Sequence, residues 1–239
     1  MKNNRNLYFI GIGPGDPELL TLKAVRLIKE CDILFFPAGK KSSDDSIAMK
    51  IIGDIIDIDK KRISFLHFPM VKGADNIAYA AEPSAEIIDK ELAEGETGVF
   101  ITVGCSTIFS TAGNLFLSLK GKEMNIHFVP GISSINATAS SAGFPLVYSE
   151  EKLAVLTATY SRDKIESCID NFESVVLMKV HSSINLIKEM LDNKNLSETS
   201  YIVERATTDE EKVIRISDLP DGYKPHYMST VIIKKNNGE

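Results

Sequence analysis

Cysteine is scarce in this 239-residue chain, and the three present, Cys31, Cys105 and Cys168, lie far apart and form no C-x-x-C pair. That speaks against a thiol-based zinc site or a disulfide framework and fits a reducing, cytoplasmic setting. The four histidines (His67, His127, His181, His226) show no H-x-x-H or H-x-x-x-H spacing and no cysteine neighbour, so no protein-bound metal is expected. Positive charge is in deficit: 27 Lys and Arg against 33 Asp and Glu give a net charge of −6, without the cationic footprint nucleic acid needs. No apolar run reaches the roughly 18 residues of a membrane span. The basic start, Met1 to Asn6, is followed only by the short apolar stretch Leu7 to Ile12 with no cleavage pattern, which does not read as a signal peptide. Ser106 and Ser110 lie in no G-x-S-x-G turn and Cys105 has no histidine close in sequence, so nucleophilic catalysis is unsupported.

What is present is a strand, a glycine turn and a helix in succession, from Tyr8 to Ala24. Such junctions are where open α/β proteins build small-molecule sites. The spacing Gly11-x-Gly13-Pro14-Gly15-Asp16-Pro17 departs from G-x-G-x-x-G by bringing the third glycine one residue early and adding two prolines. This weakens a nicotinamide reading and predicts a stiff, narrow turn whose main chain a flat ligand can approach.

Composition (44% hydrophobic, 25% charged) and length suit two small α/β lobes. Strands are expected at Leu7–Ile12, Ile33–Pro37, Ile63–Phe68 and Thr97–Val103. Between them come helices at Leu22–Glu30 (N-cap Thr21), Ser46–Ile56 and Asn76–Glu94, the last either kinked or divided at Pro83. A second strand-turn-helix junction follows at Gly104-Cys105-Ser106-Thr107. The polar run Gly121 to Asn125 suggests a boundary, giving an N-terminal lobe 1–120 with a mostly parallel sheet and a C-terminal lobe 121–239. The second lobe opens with strand Ile126–Val129 and a Pro130-Gly131 turn into a helix that begins near Ser133 and Ser134. Further strands at Lys152–Thr157, Ser174–Val180, Tyr201–Glu204 and Ser229–Lys234 predict a mixed sheet.

Three glycine turns could converge on one cleft between the lobes. Ser133 and Ser134 could cap a helix, face a ligand, or do both. The charge-rich face of Glu82, Glu86, Asp89, Lys90 and Glu91 reads as solvated surface.

Five colinear motifs together resemble the tetrapyrrole methylases: Gly11 to Ala24, Gly104 to Thr111, Val129 to Ser134, Ala142 to Leu146 and Val175 to Val180. Within that family, Ser46 to Ile52, Leu66 to Met70 and Leu153 to Tyr160 resemble the enzymes that methylate C-20 of precorrin-2 or cobalt-factor II. The resemblance implies methyl transfer from S-adenosylmethionine, bound between two α/β lobes of a homodimer, to a tetrapyrrole. It implies cofactor contacts at Pro14, Val103, Gly104, Cys105, Ile108, Ser133, Ser134, Met178 and Ala206. Cys105 departs from the family, which commonly carries aspartate there. An electron-rich ring carbon and an activated sulfonium donor need alignment more than a catalytic triad, in keeping with the absence of one. The base that removes the ring proton is not identified. The substrate's carboxylates call for Lys or Arg, with Lys40 and Lys41 as candidates. The alternatives are a sibling methyltransferase acting on another ring carbon and a non-catalytic tetrapyrrole- or nucleotide-binding module.

Overall fold

The computed structural model describes residues 4–38, 47–53, 55–57, 60–68 and 74–235. Lys40 and Lys41, Ser46, Pro69 and Met70 lie outside them. The chain forms two compact units, Met1–Ser133 and Ser134–Glu239.

The first unit is built on five parallel strands: β1 Asn6–Gly11, β2 Ile33–Ala38, β3 Arg62–His67, β4 Thr97–Thr102 and β5 Asn125–Val129, in the order β3-β2-β4-β1-β5. The near-unbroken apolar character of β1 and β4 follows from burial on both faces, as a parallel sheet requires. Helices α1 Leu22–Glu30 and α2 Ile47–Gly53 cover one face, where Ala24, Leu27 and Ile28 of α1 meet Ile10, Leu34, Phe36 and Ile101. On the opposite face α3 Ala74–Glu91 and α4 Thr111–Ser118 pack Ala85, Ile88, Ala112 and Leu115 against Leu7, Phe9, Phe35 and Phe100. Thr21 caps α1 as expected, its hydroxyl accepting from the Ala24 N–H at 3.2 Å. Pro83 neither divides nor ends α3, which runs through it as one helix.

The expected boundary near Gly121 falls too early. β5 pairs along its whole length with β1, so the segment assigned to the second lobe completes the first sheet, and the unit ends at Ser133.

In the second unit the order is β6-β7-β10-β8-β9, with β6 Leu153–Thr157 parallel to β7 Ser174–Met178. β10 Ser229–Lys234 runs antiparallel to β7 and to β8 Tyr201–Glu204, and β9 Lys212–Arg215 runs antiparallel to β8. The sheet is mixed, as expected. The sequence pattern did not signal β9, an edge strand whose residues are mostly exposed and carry no apolar run. One face is covered by α6 Arg162–Asn171 and α7 Ile184–Asn193, which bury Ile165, Ile169, Ile187 and Met190 against Val175, Leu177, Val231 and Ile233. The other carries α5 Ser134–Ala142 over β8 and β10. Lys234 is wholly buried at the end of β10, paired with the Glu151 carboxylate and set over the Tyr148 ring at 4.8 Å. Among the described residues, no helix is long and apolar enough to cross a membrane.

Candidate functional site

In the first sheet β1 and β4 are neighbours whose outgoing connections leave on opposite faces, β1 into α1 on one and β4 into α4 on the other. At such a switch point the outgoing loops diverge and leave a ligand crevice at the strands' carboxyl ends. The glycine turns lie there. Gly13 and Gly104 exchange main-chain hydrogen bonds, Gly13 N–H to Gly104 O at 3.2 Å and Gly104 N–H to Gly13 O at 2.6 Å. A Cβ built on Gly11 would lie 2.5 Å from Gly104 O and 2.7 Å from Gly131 N. One built on Gly131 would lie 2.4 Å from Gly104 O. The main chains leaving β1, β4 and β5 therefore touch, and they can do so only because Gly11 and Gly131 lack a side chain where they meet the Gly104 carbonyl.

Short hydrogen bonds fix the junction. Asp16 accepts from the Glu18 N–H at 2.8 Å and caps a 3-10 turn at Pro17–Leu19, which accounts for the Gly-Asp-Pro spelling of the first loop. The buried Ser106 hydroxyl donates to Val129 O at 3.0 Å, tying the second loop to β5. Cys105 sits at the centre, 9% exposed, with Sγ 3.2 Å from the Thr107 hydroxyl. Burial raises its pKa, but the Thr107 hydroxyl and the N–H groups of Thr107 and Gly131 outweigh that, and the net direction is below the ordinary thiol value. The cysteine thus accepts from the loop after β5.

Of the sequence candidates, Pro14, Gly104 and Cys105 are buried in this junction, Val103 and Ile108 stand beside it on the second loop, and Ser133 closes the third. Sequence reasoning overlooked two residues that join Val103 on the apolar rim of the same edge. Val103, Phe109 and Ile132 are 37%, 42% and 39% exposed, and Phe109 has a positive φ of 46°. A positive φ leaves no mark in sequence when the residue is phenylalanine.

The remaining candidates belong to the second unit. Because β10 is antiparallel to both β7 and β8, the carboxyl ends of β6, β7 and β8 share one edge. Met178 stands in register with Thr157 and Thr230 there, and Ala206 lies two residues past the end of β8. Ala137, one turn after Ser134, packs with Val203 and Ala206, so α5 and the 205–211 loop are held together. A groove of about 570 Å³ runs beside α5, lined by Ala139, Ser140, Phe144, Pro145 and Leu146 and so by much of the Ala142–Leu146 motif. Among the described residues, no group of three or more His, Cys, Asp and Glu side chains gathers as a metal site would need.

Comparison with known proteins gives this geometry a lineage. The chain is 36% identical over 234 residues to a probable cobalt-precorrin-2 C(20)-methyltransferase of Methanocaldococcus jannaschii, covering 97% of this chain and 96% of that protein. It is 33% identical to the cobalt-precorrin-2 C(20)-methyltransferase of Salmonella typhimurium, covering 97% of each. Its fold matches that of uroporphyrin-III C-methyl transferase from Thermus thermophilus, complexed with S-adenyl homocysteine, with a TM-score of 0.67, 20% identity, and 96% and 97% of the two chains covered. The model of the tetrapyrrole (corrin/porphyrin) methylases matches residues 6–220, a span that holds both sheets' first nine strands and all three glycine turns, and the chain belongs to that family.

Proposed function

We propose that this chain transfers a methyl group from S-adenosylmethionine to C-20 of precorrin-2 or cobalt-factor II in cobalamin synthesis. The observation that carries the reading is the near-full-length likeness, at 33% and 36% identity, to two relatives named for C-20 methylation of cobalt-precorrin-2. Four of its motifs, those beginning at Gly11, Gly104, Val129 and Val175, run along or leave the strand ends described above.

S-adenosylmethionine, when bound, supplies a methyl on a sulfonium and so an already activated electrophile. The chain's task is then to orient and to exclude water. Pro14, Val103, Gly104, Cys105, Ile108 and Ser133 in the first unit, and Ser134, Met178 and Ala206 in the second, would hold the cofactor. The donor set suits it: main-chain groups fixed by the glycine junction, an apolar rim for a flat ligand, and at Cys105 a small side chain rather than a fixed cation. Where aspartate is common in the family, Cys105 still offers an acceptor to Gly131 N–H. Cys105→Asp is therefore expected to leave affinity for S-adenosylhomocysteine within about threefold, and Cys105→Ala to weaken it about tenfold through the lost acceptor. Isothermal titration of both variants checks this, and equal affinities would contradict it.

The reading is tested by incubating the protein with methyl-labelled S-adenosylmethionine and each tetrapyrrole. The expected product is heavier by one methyl, located at C-20 by NMR. Transfer to a different carbon would identify a sibling methyltransferase, and binding of both ligands without transfer would leave a binding module. A homodimer is part of the same reading, checked by sedimentation. The free thiols of Cys31, Cys105 and Cys168 suit a reducing, cytoplasmic setting.

A further inference from the structure

We propose that Glu211 is a positioning residue, whose carboxylate holds the 205–207 main chain in the left-handed turn that presents Ala206 to S-adenosylmethionine. The inference rests on the reading of Ala206 as a cofactor contact.

Ala206 lies between two residues with positive φ, Arg205 at 48° and Thr207 at 69°. Left-handed backbone is unfavourable for any side chain but glycine, and for a β-branched residue such as Thr207 it persists only where its surroundings over-determine it. Local bonds account for part of this: the Arg205 N–H donates to Met228 O at 2.8 Å, and the Thr208 N–H and hydroxyl both donate to Arg205 O, at 3.1 and 2.9 Å. The Thr208 bond closes a turn with Ala206 and Thr207 at its centre, but none of these bonds engages the Thr207 N–H. That N–H donates to Glu211 Oε2 at 2.5 Å, and the same oxygen accepts from the Ser141 hydroxyl at 2.6 Å.

Ser141 is in the last turn of α5, the helix whose Ala137 packs on Ala206. One carboxylate oxygen thus ties the strained turn to the helix that opens at Ser134, another candidate contact. Both donors converge on a single oxygen, so a carbonyl serves as well as a carboxylate. The role is geometric and needs no charge.

This separates three variants. Glu211→Ala frees Thr207 N–H and is expected to weaken S-adenosylhomocysteine binding about tenfold, with a matching rise in KM for S-adenosylmethionine and an unchanged KM for the tetrapyrrole. Glu211→Gln keeps the accepting oxygen and stays within about twofold of the parent. Glu211→Ala combined with Thr207→Gly recovers affinity, because glycine takes a positive φ without strain. A merely structural glutamate would lower thermal stability and raise both KM values together, without rescue by a glycine at position 207.

The experiment is calorimetric titration of S-adenosylhomocysteine into the full chain and these variants, with steady-state kinetics alongside. If Glu211→Ala does not fold, Ser141→Ala, which removes one of the two donors, carries the test and is expected to lose about threefold. Unaltered affinity in Glu211→Ala, or in Ser141→Ala where that variant stands in, overturns the proposal while leaving the cofactor reading intact. Failure of the parent protein to bind S-adenosylhomocysteine overturns both.

Discussion

A single methyl group added at position 131 is expected to cost this protein most of its affinity for S-adenosylhomocysteine and at least about 3 kcal/mol of stability. The Cβ of Gly131→Ala would lie 2.4 Å from Gly104 O and 2.5 Å from the carbonyl carbon and oxygen of Gly11. All three are main-chain atoms, so no side chain can rotate away, and relief requires the loops after β1, β4 and β5 to separate. Thermal unfolding should then occur about 6 to 12 °C lower, given the usual dependence of Tm on stability for a chain of this size. Gly113→Ala is the control. Gly113 lies within α4 with nothing within 4 Å of a built Cβ, and alanine there should raise stability by up to about 1 kcal/mol. A Gly131→Ala protein with parental Tm and affinity would show that the three loops are not in contact in solution.

Glu151→Ala is expected to lower Tm by about 5 to 10 °C at neutral pH, because it leaves the Lys234 ammonium buried without a counter-charge. The effect has a pH signature. The hydrogen bond from Lys234 and then the Tyr148 N–H hold the Glu151 carboxyl below its ordinary value of 4.5. A carboxyl depressed in the folded state contributes its stability fully above the unfolded value and loses it as pH falls through the folded one. The stability gap between the parent and Glu151→Gln should therefore be constant from pH 7 down to about 5 and close below 4.5. Chemical denaturation across that range checks it, and a gap independent of pH would mean that the pair contributes shape alone.

Much of the architecture was legible in the sequence for a physical reason. Buried parallel strands such as Tyr8–Ile12 and Gly98–Thr102 must be apolar on both faces, and the turns after them must be glycine where main chains touch. The convergence of three glycine loops was likewise readable, although which glycines made contact was not. That depends on the strand order, which brings β1 between β4 and β5 and is not a local property. The misplaced boundary has the same origin: Gly121 to Asn125 is a polar surface turn, and nothing local says that Ile126–Val129 pairs back to β1. Edge strand β9, the exposed Phe109 and the Glu211 contact to Thr207 escaped because each is set by tertiary surroundings rather than by pattern.

The interleaved order β3-β2-β4-β1-β5 also has a consequence for the chain as it is made. β1 leads the sequence, yet both strands that flank it come late, from Thr97 and from Asn125. A growing chain emerging from the ribosome therefore carries an apolar strand with two unsatisfied edges while everything up to β4 is synthesised, and closing so long a loop is slow. Until then that strand is open to wrong partners, including its counterpart on a neighbouring nascent chain. Synthesis at high density should accordingly favour aggregation, and a holding chaperone at this stage should favour yield.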